Sequence, residues 1–128
     1  MSHYTRIYTD TGGETHFEDV TLPTTQQQSP VSTAQALLAA PIPTGQATFR
    51  TVVEDHPPEP HCAPRRQFVI NLRGTSQVEV SDGEVREFPP GAVVLVDDLT
   101  GKGHTTRRVG DVPRETLMLT VDELPGSE

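Results

Sequence analysis

The sequence predicts an all-β fold, a sandwich or a barrel. Short apolar runs of strand length recur along the chain, and Gln67–Leu72 alternates with a period of two. The 12 Pro and 10 Gly are spread through 128 residues, which leaves turns everywhere and no room for long helices. No strand–helix alternation is present, so a parallel α/β sheet is excluded. The length fits one domain, which buries roughly two-thirds of the surface its unfolded chain exposes.

Taken in order, Tyr4–Thr9 reads as a short strand and Asp10-Thr11-Gly12-Gly13 as a turn. Thr15–Leu22 is a second strand, with Phe17 and Val20 as apolar anchors. Pro23 to Pro30, with three successive Gln, reads as a loop. Ser32–Ala40 is the one helix-friendly stretch. Pro41 and Pro43 follow it closely, so a single helical turn leading into an edge strand is expected.

Gln46–Val53 is a strand, and the proline-rich segment Glu54–Pro64 is a stiff loop. In Gln67–Leu72, Phe68, Ile70 and Leu72 share one face; Gln67, Val69 and Asn71 share the other. Ser76–Val80 and Glu84–Phe88 form a hairpin across Ser81-Asp82-Gly83. Pro89-Pro90-Gly91 turns the chain into the apolar strand Ala92–Val96. Asp97–Gly103 is a polar loop. His104–Val109 and Glu115–Val121 are the last strands, and the tail 122–128 is expected to fray.

The formal charge is −8, and only Arg65-Arg66 and Arg107-Arg108 are adjacent basic pairs. Such a chain is a poor partner for nucleic acid. No run approaches membrane-spanning length and the N-terminus has no apolar signal core, so a cytoplasmic protein with no membrane partner is expected. Cys62 is the lone cysteine, which rules out an intrachain disulfide.

Two stretches carry the chemistry. His61 precedes the strand that starts at Gln67, and six residues separate Gln67 from Gly74. Five residues separate Gly91 from Asp97, and Gly101-Lys102-Gly103-His104 follows. In this spacing the chain resembles the small single-domain cupins. Their first motif is His, any residue, His, three or four residues, Glu, six residues, Gly. Their second has a Gly, five residues, Pro, and a Gly shortly before a His. The resemblance covers residues 44–121, and the run Pro64–Gln67 and the segment Gly13–Phe17 are similar to bacterial cupins of unassigned activity. Two positions depart from the pattern. Ala63 stands where the second His belongs, and Gln67 where the Glu belongs.

The resemblance implies a cupin-type double-stranded β-helix, a jelly-roll barrel, with residues 1–43 packing on a core of 44–121. It implies a small-molecule pocket with a divalent transition metal (Fe, Mn, Ni, Zn or Cu) on His61, Gln67 and His104. Losing a His and a carboxylate weakens such a site. His61, His104 and His56 are the expected catalytic residues, with Arg65, Gln67 and Asn71 lining the pocket. Arg65 shares the parity of Gln67 and is placed to meet an anion; its competing reading is a surface pair with Arg66. Gln67 and Asn71 either line the pocket or face solvent on a one-sided sheet. His16 is a further imidazole candidate, and Asp97, Asp98 and Lys102 read either as a gate at the barrel mouth or as solvated loop charges.

The expected activity is that of a metal-dependent enzyme of dioxygenase, isomerase, cyclase or lyase type, acting on a small molecule. The alternative is a non-catalytic ligand-binding or sensor cupin with an eroded metal site. A homodimer is expected, with the strand around Phe17 as a candidate for exchange.

Overall fold

Every predicted strand forms, and two segments read as loop and helical turn form strands as well. The structure, a computed structural model, describes residues 2–55, 59–122 and 124. The expected imidazole His56 lies outside the described residues. The strands are β1 (His3–Thr9), β2 (Thr15–Thr21), β3 (Thr24–Gln28), β4 (Gln35–Ala39), β5 (Ala47–Val52), β6 (Gln67–Arg73), β7 (Thr75–Val80), β8 (Val85–Phe88), β9 (Val93–Asp97), β10 (His104–Val109) and β11 (Arg114–Thr120). No helix occurs among the described residues.

The segments 24–28 and 35–39 correct the sequence reading. They pair antiparallel from Thr24↔Ala39 to Gln28↔Gln35, closed by a turn in which Ser29 N donates to Ala34 O at 2.7 Å. A helix bounded by Pro30 and Pro41 is too short to hold itself together, whereas a ladder supplies every second residue with a partner.

The strands form a six-stranded sheet in the order β2-β1-β9-β6-β11-β5, a three-stranded sheet β10-β7-β8, and the β3-β4 hairpin. The hydrogen-bonded ladders remain three separate sheets, so the architecture is all-β with several sheets and not the closed barrel expected. The larger sheets meet through their apolar faces. Ile7, Phe17, Val94 and Val96 of the first pack with Val78, Val80 and Phe88 of the second. β1 lies inside the large sheet, antiparallel to β2 and parallel to β9. The N-terminal strands are thus part of the main body, and Phe17 is buried in the core of its own chain.

The run Val93–Val96 has no polar alternation because β9 is covered on both faces. Val94 and Val96 face the second sheet, while the fully buried Leu95 joins Tyr4, Phe68 and Val121 on the outer face. That outer face also holds Asp97, which accepts from Arg6 at 2.7 and 3.0 Å and from Arg66 Nε at 2.7 Å. Asp97 is therefore a paired, buried carboxylate and not a gate. Lys102 pairs with Glu14.

His16 belongs to the frame and not to the cavity. Its Nε2 lies 2.7 Å from Asp10 Oδ2 and its Nδ1 lies 2.7 Å from Asp82 Oδ2. Two carboxylates can only accept, so the imidazolium satisfies both best. The hydrogen bond to Asp10, then that to Asp82, raises the His16 pKa above its ordinary 6.5. Asp10 is lowered from 3.8, chiefly by His16; Asp82 is lowered chiefly by the Glu84 backbone N–H and next by His16.

This clamp joins the β1–β2 turn to the β7–β8 turn and makes stability pH-dependent. The His16 contribution is complete below the unfolded value of 6.5 and is lost as pH rises through the raised folded value. The aspartate contributions hold above 3.8 and disappear as pH falls through the lowered folded values. Thermal melts of the wild type and His16→Gln across this range are expected to differ most in mildly acidic buffer and to converge at alkaline pH. A gap that stays constant with pH would remove the charge from this account.

Candidate active site

The two imidazoles in the motifs meet at one backbone bridge. His61 N donates to His104 O at 2.9 Å, and His104 N donates to His61 O at 3.0 Å. Residues paired this way in antiparallel strands present their side chains on the same face. The rings lie 4.8 Å apart between centroids, tilted by 52°. Gly103 makes the approach possible. Its φ is +73°, and a Cβ built there would lie 2.5 Å from the carbonyl carbon and oxygen of His61. Any other residue before His104 would force the two segments apart.

His104 is buried at 6% exposure, and its Nδ1 lies 2.5 Å from Oδ2 of the fully buried Asp98. An ionised carboxylate accepts only, so the ring donates from Nδ1 and keeps Nε2 as its second functional nitrogen. Asp98 is itself anchored, because its backbone oxygen accepts from Ala63 N at 3.0 Å. Its Oδ1 has no hydrogen-bond partner among the described residues, so the contact with His104 Nδ1 is the one its side chain makes there. The sequence reading of Asp98 as a loop charge is thereby corrected. Parity could have found it: Val94, Val96 and Asp98 step inward in alternation.

His61 and His104 line a cavity of about 270 Å³ between the two sheets. Gln67 lines it from the start of β6, as its parity predicts. Asn71 lines it too, buried at 3%, but its amide is already engaged. Nδ2 donates to Phe88 O at 2.7 Å and to Ser76 Oγ at 3.2 Å, tying the two sheets together. Arg65 is not among the lining residues; it is exposed and reaches Gln46 Oε1 at 3.3 Å. Residue 65 precedes β6, where strand parity does not yet govern direction. Cys62 also stays out of the cavity and donates from Sγ to Gly101 O at 3.3 Å.

Two charged cavity residues escaped the sequence reading, Arg50 of β5 and Arg114 of β11. Thr116 pairs with Arg50 and Arg114 with Val52, so both arginines fall on the cavity face of adjacent strands. Arg114 is 6% exposed, and burial, then repulsion from Arg50, lowers its pKa. Burial also lowers that of Arg50, although the residue as a whole remains open to solvent at the cavity mouth. Arg114 begins β11 one residue before the predicted strand, and that boundary error hid its direction.

The donor set fits a divalent ion poorly. It offers two imidazoles and the neutral amide of Gln67, and no Asp or Glu is among the lining residues. No group of three His, Cys, Asp or Glu side chains converges for a metal among the described residues. Two guanidiniums in the same cavity oppose a further positive charge. Ala63, where the cupin resemblance expects a second His, is buried in the apolar core.

No helix among the described residues is long and apolar enough to cross a membrane. No protein-family model matches the chain, and a search of curated proteins finds no significant match.

Proposed function

We propose that this chain is a small-molecule enzyme of the cupin type that moves protons at the His61–His104 pair. The observation that carries this reading is the buried Asp98–His104 contact, which fixes one imidazole in the wall of a cavity beside a second. The two-sheet, all-β architecture and the placement of both motif histidines on that cavity support the cupin-type assignment.

The roles follow from the geometry. Asp98 orients His104 and stabilises the imidazolium that forms when Nε2 takes a proton. His61, on the more exposed side, is placed to return a proton to the substrate or to exchange it with solvent. Gln67 supplies a neutral amide that can hold a carbonyl or hydroxyl. Isomerase and lyase reactions fit this set because proton transfer is their principal demand on the protein. The apolar walls formed by Val69, Val78, Val94 and Val96 limit water around the reacting atoms.

A ligand-binding cupin without catalysis is the second reading, favoured by the burial of Ala63 where a ligating His would stand. Solvent deuterium exchange into small ketones, aldehydes and 2-oxo acids, followed by proton NMR, separates the two. Exchange above the buffer rate is expected, slowed roughly 10²–10⁴-fold in Asp98→Asn and in His104→Gln. Binding of these compounds with no exchange would establish the second reading.

The divalent metal on His61, Gln67 and His104 is addressed by titrating dialysed protein with Ni²⁺ or Zn²⁺. Weak binding is expected in the wild type, tightened in Gln67→Glu, which restores the missing anion. Stoichiometric tight binding by the wild type, lost in His104→Ala, would reinstate a metal-dependent reaction.

A homodimer belongs to the same proposal. Phe49, 75% exposed on the sheet-edge strand β5, and Leu72, 50% exposed, lie open on this chain. Light scattering at micromolar concentration is expected to give twice the monomer mass, and a monomer would dismiss this part of the proposal.

A further inference from the structure

We propose that the cavity recognises a small organic carboxylate, held by the guanidiniums of Arg114 and Arg50. The proposal rests on the reading of this cavity as the functional site and names the class of molecule it takes.

The first support is an unpaired buried cation. Arg114 is 6% exposed and lines the cavity, and its Nε has no hydrogen-bond partner among the described residues. Among the described residues no carboxylate forms an ion pair with Arg114 or with Arg50. Three arginines elsewhere hold close carboxylates: Arg6 and Arg66 share Asp97, and Arg86 holds Asp19 and Glu84, while the exposed Arg65 and Arg107 form no ion pair among the described residues. In a chain with 18 acidic residues, the two cavity arginines thus have no ion pair among the described residues. Buried charges are normally paired, and a guanidinium held without its counter-ion awaits one from solution.

The second support is arrangement. β5 and β11 are hydrogen-bonded neighbours, with Arg50 opposite Thr116 and Arg114 opposite Val52. The arginines are therefore diagonal across one ladder and project from the same face, close enough for Arg50 to act electrostatically on Arg114. Thr116 between them is 1% exposed, and its Oγ1 is also without a partner among the described residues. Two planar forks on one wall match the planar, multiply accepting carboxylate. Asp55 acts electrostatically on Arg114 but forms no ion pair with it, and accepts from the Arg108 backbone N–H.

The third support is the rest of the lining. The valines of the cavity and Met118 offer an apolar body site, and the volume of about 270 Å³ limits that body to a small molecule. A carboxylate seated on the arginines would leave its carbon chain to run along these walls within the cavity that also holds His61 and His104. Electron withdrawal by a bound, charge-neutralised carboxylate favours loss of a neighbouring proton, the step assigned to the imidazoles.

Nitrogen-15 NMR of the wild-type protein tests this directly. The probes are benzoate and 4-methylvalerate, their neutral amides, and inorganic phosphate. Saturable shifts of the Arg114 Nε–H signal are expected with the carboxylates, with binding at least about tenfold weaker for the amides and for phosphate. Arg114→Met is expected to weaken carboxylate binding by a similar factor. Arg50→Met, at the open mouth of the cavity, provides a second variant should Arg114→Met not fold.

Amides that bind as well as the acids, with both variants indifferent, would overturn the carboxylate assignment while leaving the cavity a binding site. Phosphate that binds as tightly as the acids would overturn it too. If no probe moves the Arg114, His61 or His104 signals, the reading of the cavity as a functional site fails together with this one. Carboxylate binding by protein that shows no deuterium exchange would keep the assignment and remove only the catalysis.

Discussion

The contact between the backbone of His61 and that of His104 organises the rest of the site. It is a single antiparallel bridge outside the named ladders, and it brings the segment before β6 against the start of β10. It requires Gly103, since a side chain there would collide with His61 itself. Once formed, it presents two imidazoles on one face of the gap between the sheets. Asp98 then turns one of them from a movable ring into a fixed one, and the adjacent bond from Ala63 to the Asp98 carbonyl holds the carboxylate's own backbone in place.

The cavity is cationic in a protein that is acidic. The excess of carboxylates lies on the outside or in pairs with Arg6, Arg66, Arg86, Lys102 and His16. Inside, one carboxylate faces a histidine, and two guanidiniums face the cavity with no acid paired to them among the described residues. That separation has an energetic cost, because desolvated positive charge repels its neighbour and loses water. It is the pattern of a surface shaped to receive a negative group, and it works against a divalent cation in the same space.

Much of this site was legible in the sequence, for a definite reason. The spacing of His61, Gln67, Gly74, Gly103 and His104 is local information, and two-residue parity along β6 correctly turned Gln67 and Asn71 toward the cavity. Parity fails where the strand has not begun. Arg65 precedes β6 and swings outward, while Arg114 opens β11 one residue earlier than its pattern indicates and turns inward. Asp98 obeyed the parity of Val94 and Val96 but stood beyond the apolar run, and its charge disguised it as loop. The β3–β4 hairpin was hidden because its hydrogen bonds come from another segment and leave little apolar pattern in either strand.

The amino-acid sequence by itself determined the all-β character, most strand positions and the two histidines, because turn residues and alternation act over a few neighbouring residues. Only the tertiary structure decided that Arg50, Arg114, Asp98 and the imidazoles share one cavity, and that the sheets pack without closing into a hydrogen-bonded barrel. Those outcomes depend on which strands become neighbours. Pairing of distant strands is set by the burial of two whole sheet faces together, a quantity no local window of sequence contains.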